Sequence, residues 1–367
     1  MNFPRTVDEI TPEWLTQVLR DGGAIKLARV ESISATRMGE DSGVTSAINR
    51  LELTYDTPEH GAPTVLISKQ AVTEEAIRLG MPHVRFYETE ANFYRDWAPK
   101  LEIKTPKIFF SEFDPDTKHV LILQQDLNGM KAFSGSEDCD IEYALSAIHD
   151  LSIVHAAWWR HPDLDKHSWY NVFTGDGSPE NMSNLLVERL EKVLSFAGEF
   201  VPEGVEELTR KLAPNMHEMG AAITQQPKTL IHGDFRTANM FFDHSESGRP
   251  RAVVFDWQNV QAARGGMDVA HFLSSSFTVN TRQAVEHRLM DEYHTTLIDH
   301  GVKDFSKQEL ERDIQHAVLT RVFARFGGLS FGGQKMLETE QGKNNLIGML
   351  GRLQMLIDWN CDEVIPK

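Results

Sequence analysis

Between residues 232 and 257 the chain sets out a carboxylate, a carboxamide and a second carboxylate around two short apolar runs. His232-Gly233-Asp234 opens the stretch, and Asn239 follows in the same loop. Apolar residues 240–242 come next, then a polar, turn-rich segment, 244–250, then the apolar run 252–255, which delivers Asp256 and Trp257. The pattern predicts a loop, a strand, a turn and a return strand with Asp256 at its end. Oxygen donors of these types suit Mg²⁺, and a carboxylate can orient or deprotonate a hydroxyl. A lone Asp and a lone Asn in a loop are ordinarily turn and cap residues. The combination with Asp256 at the end of an apolar strand is what points to a site.

His232-Gly-Asp234-x-x-x-x-Asn239, with Val253-Val254-Phe255-Asp256-Trp257 after it, resembles the core motif of the aminoglycoside phosphotransferase and choline kinase superfamily. The resemblance implies an α+β, bilobal, protein-kinase-like fold with a small antiparallel-sheet N-lobe and a larger, mostly helical C-lobe. It implies that Asp234 is catalytic, acting on an acceptor hydroxyl, and that Asn239 and Asp256 hold the metal. ATP and Mg²⁺ are the implied cofactors, and a small-molecule alcohol is the implied acceptor. Protein kinases share the Asp-to-Asn spacing, but Asp256-Trp257 stands where they have Asp-Phe-Gly and no Ala-Pro-Glu follows, so a peptide-docking segment is not expected. Ile10-Thr-Pro-Glu-Trp-Leu15 and His155-Ala-Ala-Trp-Trp159 are similar to the ecdysteroid-kinase-like branch in particular. At motif level the resemblance runs over residues 28–275.

The elements that must position these groups come before them in the chain. Arg29 to Ala35 reads as a strand and Ile48 to Tyr55 as its return. Gly39, Ser42 and Gly43 lie in the loop between them, suited to lie over phosphates through backbone N–H groups and hydroxyls. It is not a Walker loop, because no Gly-Lys-Ser/Thr closes it. In the strand 64–70, Lys69 shares a face with Val65 and Ile67, and a Lys on an apolar face needs a partner. Helical spacing over 86–97 puts Phe86, Glu90, Phe93, Tyr94 and Trp97 on one side, so Glu90 points inward and Glu88 does not. A Lys69–Glu90 pair satisfies both charges, and the resemblance assigns Lys69 to the phosphates. Two further strands, 107–113 and 119–124, lead to Gln125-Asp126-Leu127, which resembles the inter-lobe hinge whose backbone takes the adenine edge. The expected division is 1–126 for the N-terminal lobe and 127–367 for the C-terminal lobe, the latter carrying the catalytic loop, metal site and acceptor pocket.

Beyond the hinge the signal is helical. His155 falls on a broad apolar stripe and reads as a packed core histidine. Asp268, at the start of an apolar helix, reads as a cap or as a brace for the catalytic loop. Helices are expected at 185–196 and 206–224, and at 281–364 with an interruption at Gly327-Gly328 to Gly332-Gly333. Tyr293, Phe323, Phe326, Phe331 and Trp359 are candidate linings of an acceptor pocket, with core packing as the alternative reading for each.

Bulk properties set limits. With 367 residues the chain can build a sizeable core and two lobes. A net charge of -17 without a long basic block argues against nucleic acid. The two cysteines, Cys139 and Cys361, argue against a disulfide framework. The first ten residues are too acidic for a signal peptide, and no apolar run is long enough to span a bilayer, so a cytoplasmic enzyme without a membrane or protein partner is expected. Two alternatives stand beside the kinase reading: a non-catalytic nucleotide-binding protein, and a metal-assisted phosphohydrolase.

Overall fold

The computed structural model describes residues 3–38, 46–72, 85–134, 138–167, 179–245 and 248–366. These divide into two compact units, 1–130 with 253–260, and 131–252 with 261–367. The first is built on an antiparallel sheet and the second is mostly helical, so the chain has the expected α+β, bilobal, protein-kinase-like architecture. Gly39, Ser42 and Gly43 lie outside the described residues.

The first unit opens with a helix, Pro12–Asp21. Thr11 caps it by accepting from the Trp14 N–H at 3.2 Å, and Pro12 occupies the first turn, where no N–H is needed. Its apolar face, led by the fully buried Leu15 and Leu19, packs on a five-stranded sheet. The strands are β1 (Val30–Arg37), β2 (Ser46–Tyr55), β3 (Val65–Ala71), β4 (Ile108–Phe113) and β5 (Val120–Gln125), in the order β1-β2-β3-β5-β4. β3 is therefore central, with Lys69 opposite Ile48 on one side and Ile122 on the other. The helix Arg85–Asn92 runs on through a wider π turn, Phe93–Trp97. Its buried residues include Glu90, Phe93, Tyr94 and Trp97, as the spacing requires, but Tyr87 rather than Phe86 fills the first place.

In the second unit the helix Ile141–Ala157 is followed by Pro179–Ala197, Val205–Leu212 and Met216–Ala222. The single helix expected over 206–224 is divided at Ala213–Asn215, where Pro214 cannot donate to the preceding turn. The expected interruption at 327–333 does not occur: Lys307–Met336 is one helix of 30 residues. Two of its glycines serve packing. A Cβ on Gly333 would stand 3.0 Å from the Phe196 ring, and one on Gly327 would stand 3.1 Å from the Arg189 guanidinium. Both partners lie on the helix Pro179–Ala197, so the absence of side chains lets the two helices approach closely.

Candidate active site

Within the first unit, Lys69, Glu90 and Asp256 meet. The Lys69 ammonium lies 2.6 Å from Glu90 Oε2 and 2.6 Å from Asp256 Oδ1. β3 supplies the first, the aromatic helix the second, and the segment 253–260 the third. That segment is fastened where it enters: the Val254 N–H donates to the Lys104 carbonyl at 2.8 Å, and Trp257 stacks on Phe93 with ring centroids 4.1 Å apart. Asp256 itself is in the left-handed region, φ 65°, a conformation uncommon outside glycine. Glu90 is only 2% exposed. Burial pulls the Lys69 ammonium down, but the two carboxylates outweigh it and hold it above the ordinary lysine range. Burial, opposed by Lys69 and reinforced by Asp256, pushes the Glu90 carboxyl up to about 7.

At the end of β5, the Gln125 N–H donates to the Lys107 carbonyl at 2.8 Å. Leu127 is buried, and its carbonyl accepts from the Met130 N–H at 3.1 Å.

The second unit contains the catalytic-loop residues, which follow the strand Thr229–Ile231. Asp268, fully buried near the start of the helix Gly266–Ser275, accepts from the N–H groups of His232 at 2.6 Å and Gly233 at 2.8 Å. It is thus a brace for the loop, one of the two roles expected. Gly233 takes φ 83°, which suits glycine alone at this turn. His232 accepts the Asp234 N–H on Nδ1 at 3.1 Å, which gives it a structural place. His155 is a core histidine: it is unexposed, bonded to the Tyr293 hydroxyl at 2.8 Å, and 3.5 Å from Asp268. Gly265 lies so close that an added Cβ would stand 2.3 Å from the Tyr293 hydroxyl and 2.9 Å from His155 Nδ1.

Asp234 and Asn239 are joined. The Asn239 amide NH₂ donates to the Asp234 carbonyl at 2.9 Å and to its Oδ2 at 2.8 Å. That commits the nitrogen and turns the amide oxygen the other way, as an oxygen donor set for a hard cation requires. Asp256 contributes a carboxylate whose Oδ2 faces only a 3.5 Å contact with Gln258 among the described residues. The chemistry of both groups fits Mg²⁺.

Two guanidinium groups and one imidazole complete the surroundings of Asp234. His271, one turn beyond Asp268, brings Nε2 to 2.5 Å from Asp234 Oδ1. The carboxylate can only accept, so Nε2 is the donor in this contact, and the Arg321 guanidinium stands 3.0 Å from the same nitrogen. Burial and then Arg321 press the His271 imidazole down to about 3, so it is neutral at ordinary pH. Arg236 approaches Oδ2 at 3.4 Å, and Arg321 approaches Oδ1 at 3.8 Å. Burial raises the Asp234 carboxyl, but His271, Arg236 and Arg321 together hold it well below the usual carboxylate range.

Asp234 opens on a cavity of about 1100 Å³ whose described lining belongs entirely to the second unit. None of the five aromatic candidates lines it. Tyr293, Phe323 and Phe326 are buried in the core, Phe331 is 89% exposed, and Trp359 donates to Glu286 at 3.0 Å. The cavity is lined instead by Arg236, Arg321, Arg325 and Arg352. Arg321 and Arg325 stand one helical turn apart inside the run 317–329, which is otherwise apolar but for Thr320, and that was the available signal.

A family model described as the ecdysteroid kinase-like family matches residues 42–303. No curated protein matches the chain significantly. Among solved structures, an amicoumacin kinase in complex with AMP-PNP, Ca²⁺ and Ami is similar with TM-score 0.55 at 11% identity, covering 93% of each chain. Choline kinase from Cryptosporidium parvum Iowa II is similar with TM-score 0.53 at 9% identity, covering 96% of this chain and 98% of its own. An aminoglycoside 2′-phosphotransferase solved with GDP is similar with TM-score 0.52 at 11% identity, covering 95% and 97%. At such identities the likeness concerns the fold. Among the described residues, no helix is long and apolar enough to cross a membrane.

Proposed function

The chain belongs to the ecdysteroid kinase-like family, and from that premise we propose that it transfers the γ-phosphate of ATP to a hydroxyl of a small molecule, with Mg²⁺ as the metal. The observation that carries this reading is Asp234. It is an ionised carboxylate on a loop braced by Asp268, and it faces a cavity large enough for a metabolite. Asp234 receives the acceptor hydroxyl and orients its oxygen. That oxygen bonds to the γ-phosphorus as the bond to the β–γ bridging oxygen breaks. ADP leaves with the electron pair, and the hydroxyl proton passes by way of Asp234 to solvent.

Lys69, fixed by Glu90, pairs with phosphate oxygens. Gln125 and Leu127 take the adenine edge through backbone groups, and Gly39, Ser42 and Gly43 cover the phosphates. Asn239 and Asp256 would hold Mg²⁺, which when bound neutralises phosphate charge. Positioning and charge neutralisation supply most of the rate. The chain has two cysteines and both are buried, which fits the cytoplasm as the proposed location. No nucleic acid, membrane or protein partner enters the scheme.

The test is an ATP-dependent screen of a metabolite extract for products one phosphate heavier, with Asp234→Asn as control. ATP bound without any product, or phosphate released equally fast with no acceptor present, would sink the reading.

A further inference from the structure

The cavity beside Asp234 has a charge that a hydroxyl acceptor alone does not need. Its described lining carries four guanidinium groups and one carboxylate, in a chain whose net charge is -17. The four come from three places in the chain: Arg236 from the catalytic loop, Arg321 and Arg325 from the helix Lys307–Met336, and Arg352 from the turn after the helix Glu340–Gly351. Convergence from separate elements is not the by-product of one basic run.

Asp234 accounts for part of this charge. Arg236 and Arg321 are its neighbours, and Arg321 also donates to the Gly233 carbonyl at 3.4 Å. Arg325 is different. It lies one turn further along the cavity wall and forms no ion pair with any described carboxylate. Burial, then Arg321, Arg352 and Arg236, press its guanidinium down to about 9, and only Asp234 acts the other way. Arg352 is likewise lowered by burial and by Arg236, with Asp138 opposing. The cations repel one another around a space that the protein itself leaves open.

A folded chain that crowds arginines together loses stability by it. An anion in the cavity removes that cost. The planar guanidinium fork matches carboxylate, sulfate and phosphate oxygens two at a time. An ammonium-bearing acceptor would instead meet repulsion from all four.

We propose that this cavity takes a hydroxyl compound bearing an anionic group, with Arg325 and Arg352 holding the anion while Asp234 faces the hydroxyl. The assignment of that compound as the phosphate acceptor rests on the phosphotransferase reading. The anion preference of the cavity does not.

Two probes set this charge apart: 4-nitrophenyl β-D-glucuronide and 4-nitrophenyl β-D-glucoside share the aglycone and ring, and the first carries a carboxylate where the second carries a neutral hydroxymethyl group. Titration calorimetry on the whole protein is expected to show the glucuronide bound at least about tenfold more tightly, since one desolvated charge-assisted contact is worth about 1.4 kcal/mol or more. Raising the salt concentration should shrink that preference. In Arg325→Gln/Arg352→Gln it should fall towards unity, while affinity for Mg·ATP stays as in the parent. Equal affinity in the parent protein, a preference for the glucoside, or no binding of either probe overturns the proposal without any variant. So does a preference that the double substitution leaves untouched. Transfer from labelled ATP to the glucuronide is read separately. Selective binding without transfer to this or any other anionic alcohol would remove the kinase reading and leave the anion site standing.

Discussion

Substituting Lys69 by Met separates what the first unit needs for folding from what it needs for its proposed chemistry. Lys69 lies 2.6 Å from each of two carboxylates, and its side chain is 12% exposed. Its loss leaves Glu90 without a cation in a nearly dry place, at a cost of about 3–5 kcal/mol. That cost depends on pH, and the sign follows from Glu90. Its carboxyl is raised to about 7 in the folded chain, above its unfolded value, so the folded state binds the extra proton. The stabilisation this gives is present at low pH and fades as pH rises through the folded value. In the parent protein the fading is complete by about pH 8. In Lys69→Met the folded value moves higher, so stability keeps falling above that pH at about 1.4 kcal/mol per pH unit. Between about pH 8 and 9.5 the variant should lose roughly 2 kcal/mol that the parent does not. Adding Glu90→Gln should remove that slope, because the carboxyl whose proton uptake produces it is gone. Hydrogen exchange of peptides from β3 and the helix Arg85–Asn92, corrected for intrinsic rates, reads this locally, since the two units need not unfold together. The double variant should be folded and still fail to transfer phosphate. A flat profile for Lys69→Met, or recovered transfer in the double variant, refutes the reasoning.

Four further expectations concern the second unit and the proposed metal donors. Asp234→Asn should cut turnover by about 10²–10⁴ while calorimetry finds Mg·ATP affinity nearly unchanged, whereas Asp256→Asn should weaken Mg·ATP; the reverse pattern would mean the two roles are exchanged. Asp268→Ala strips the acceptor from the His232 and Gly233 N–H groups, so thermal unfolding should show a loss of about 2–4 kcal/mol, with Asp268→Glu recovering little because the longer side chain cannot hold both bonds. Gly265→Ala drives a Cβ into the Tyr293 hydroxyl and should cost about 1–3 kcal/mol in urea melts, part of it regained by adding Tyr293→Phe. Turnover should show no acid limb from Asp234 between about pH 5 and 8, because its carboxyl lies well below the usual range and His271 stays neutral above about 3; a limb that His271→Ala shifts would contradict this.

What the sequence disclosed, and what it hid, divides along the range of the interactions. Lys69 and Glu90 were legible because each is a charge on a buried face of a regular element, and a period of two or of 3.6 shows the face directly. A buried charge must find an opposite one, so the pair followed. Asp268 was legible for a similar reason, as a carboxylate at the start of an apolar helix. His271 was not, because an imidazole on an apolar helix is ordinarily core, and only the fold reveals that its Nε2 meets Asp234. The arginines of the cavity come from distant parts of the chain, and no local period links Arg236, Arg325 and Arg352. The glycines at 327–333 misled because glycine is a breaker in isolation, whereas here Arg189 and Phe196 occupy the space that side chains at 327 and 333 would need.

The surroundings of Asp234 bear on which chemistry it can perform. A general base works best with a pKa near the working pH. Asp234 is held far below that by His271, Arg236 and Arg321, so it has little appetite for the proton of an unreacted alcohol. A phosphoryl transfer with a loose transition state asks little of a base, because the attacking oxygen gains acidity only as its bond to phosphorus forms. Under the proposed reading Asp234 therefore acts first by fixing the direction of the hydroxyl and receives the proton late. The same cations that weaken it as a base keep it ionised and immobile. Arg325 and Arg352 continue that field into the cavity, where it can fix the far end of an anionic acceptor. Orientation at both ends of the substrate then replaces basicity as the source of rate, and this explains why so many positive groups surround the one carboxylate among the described residues of the cavity lining.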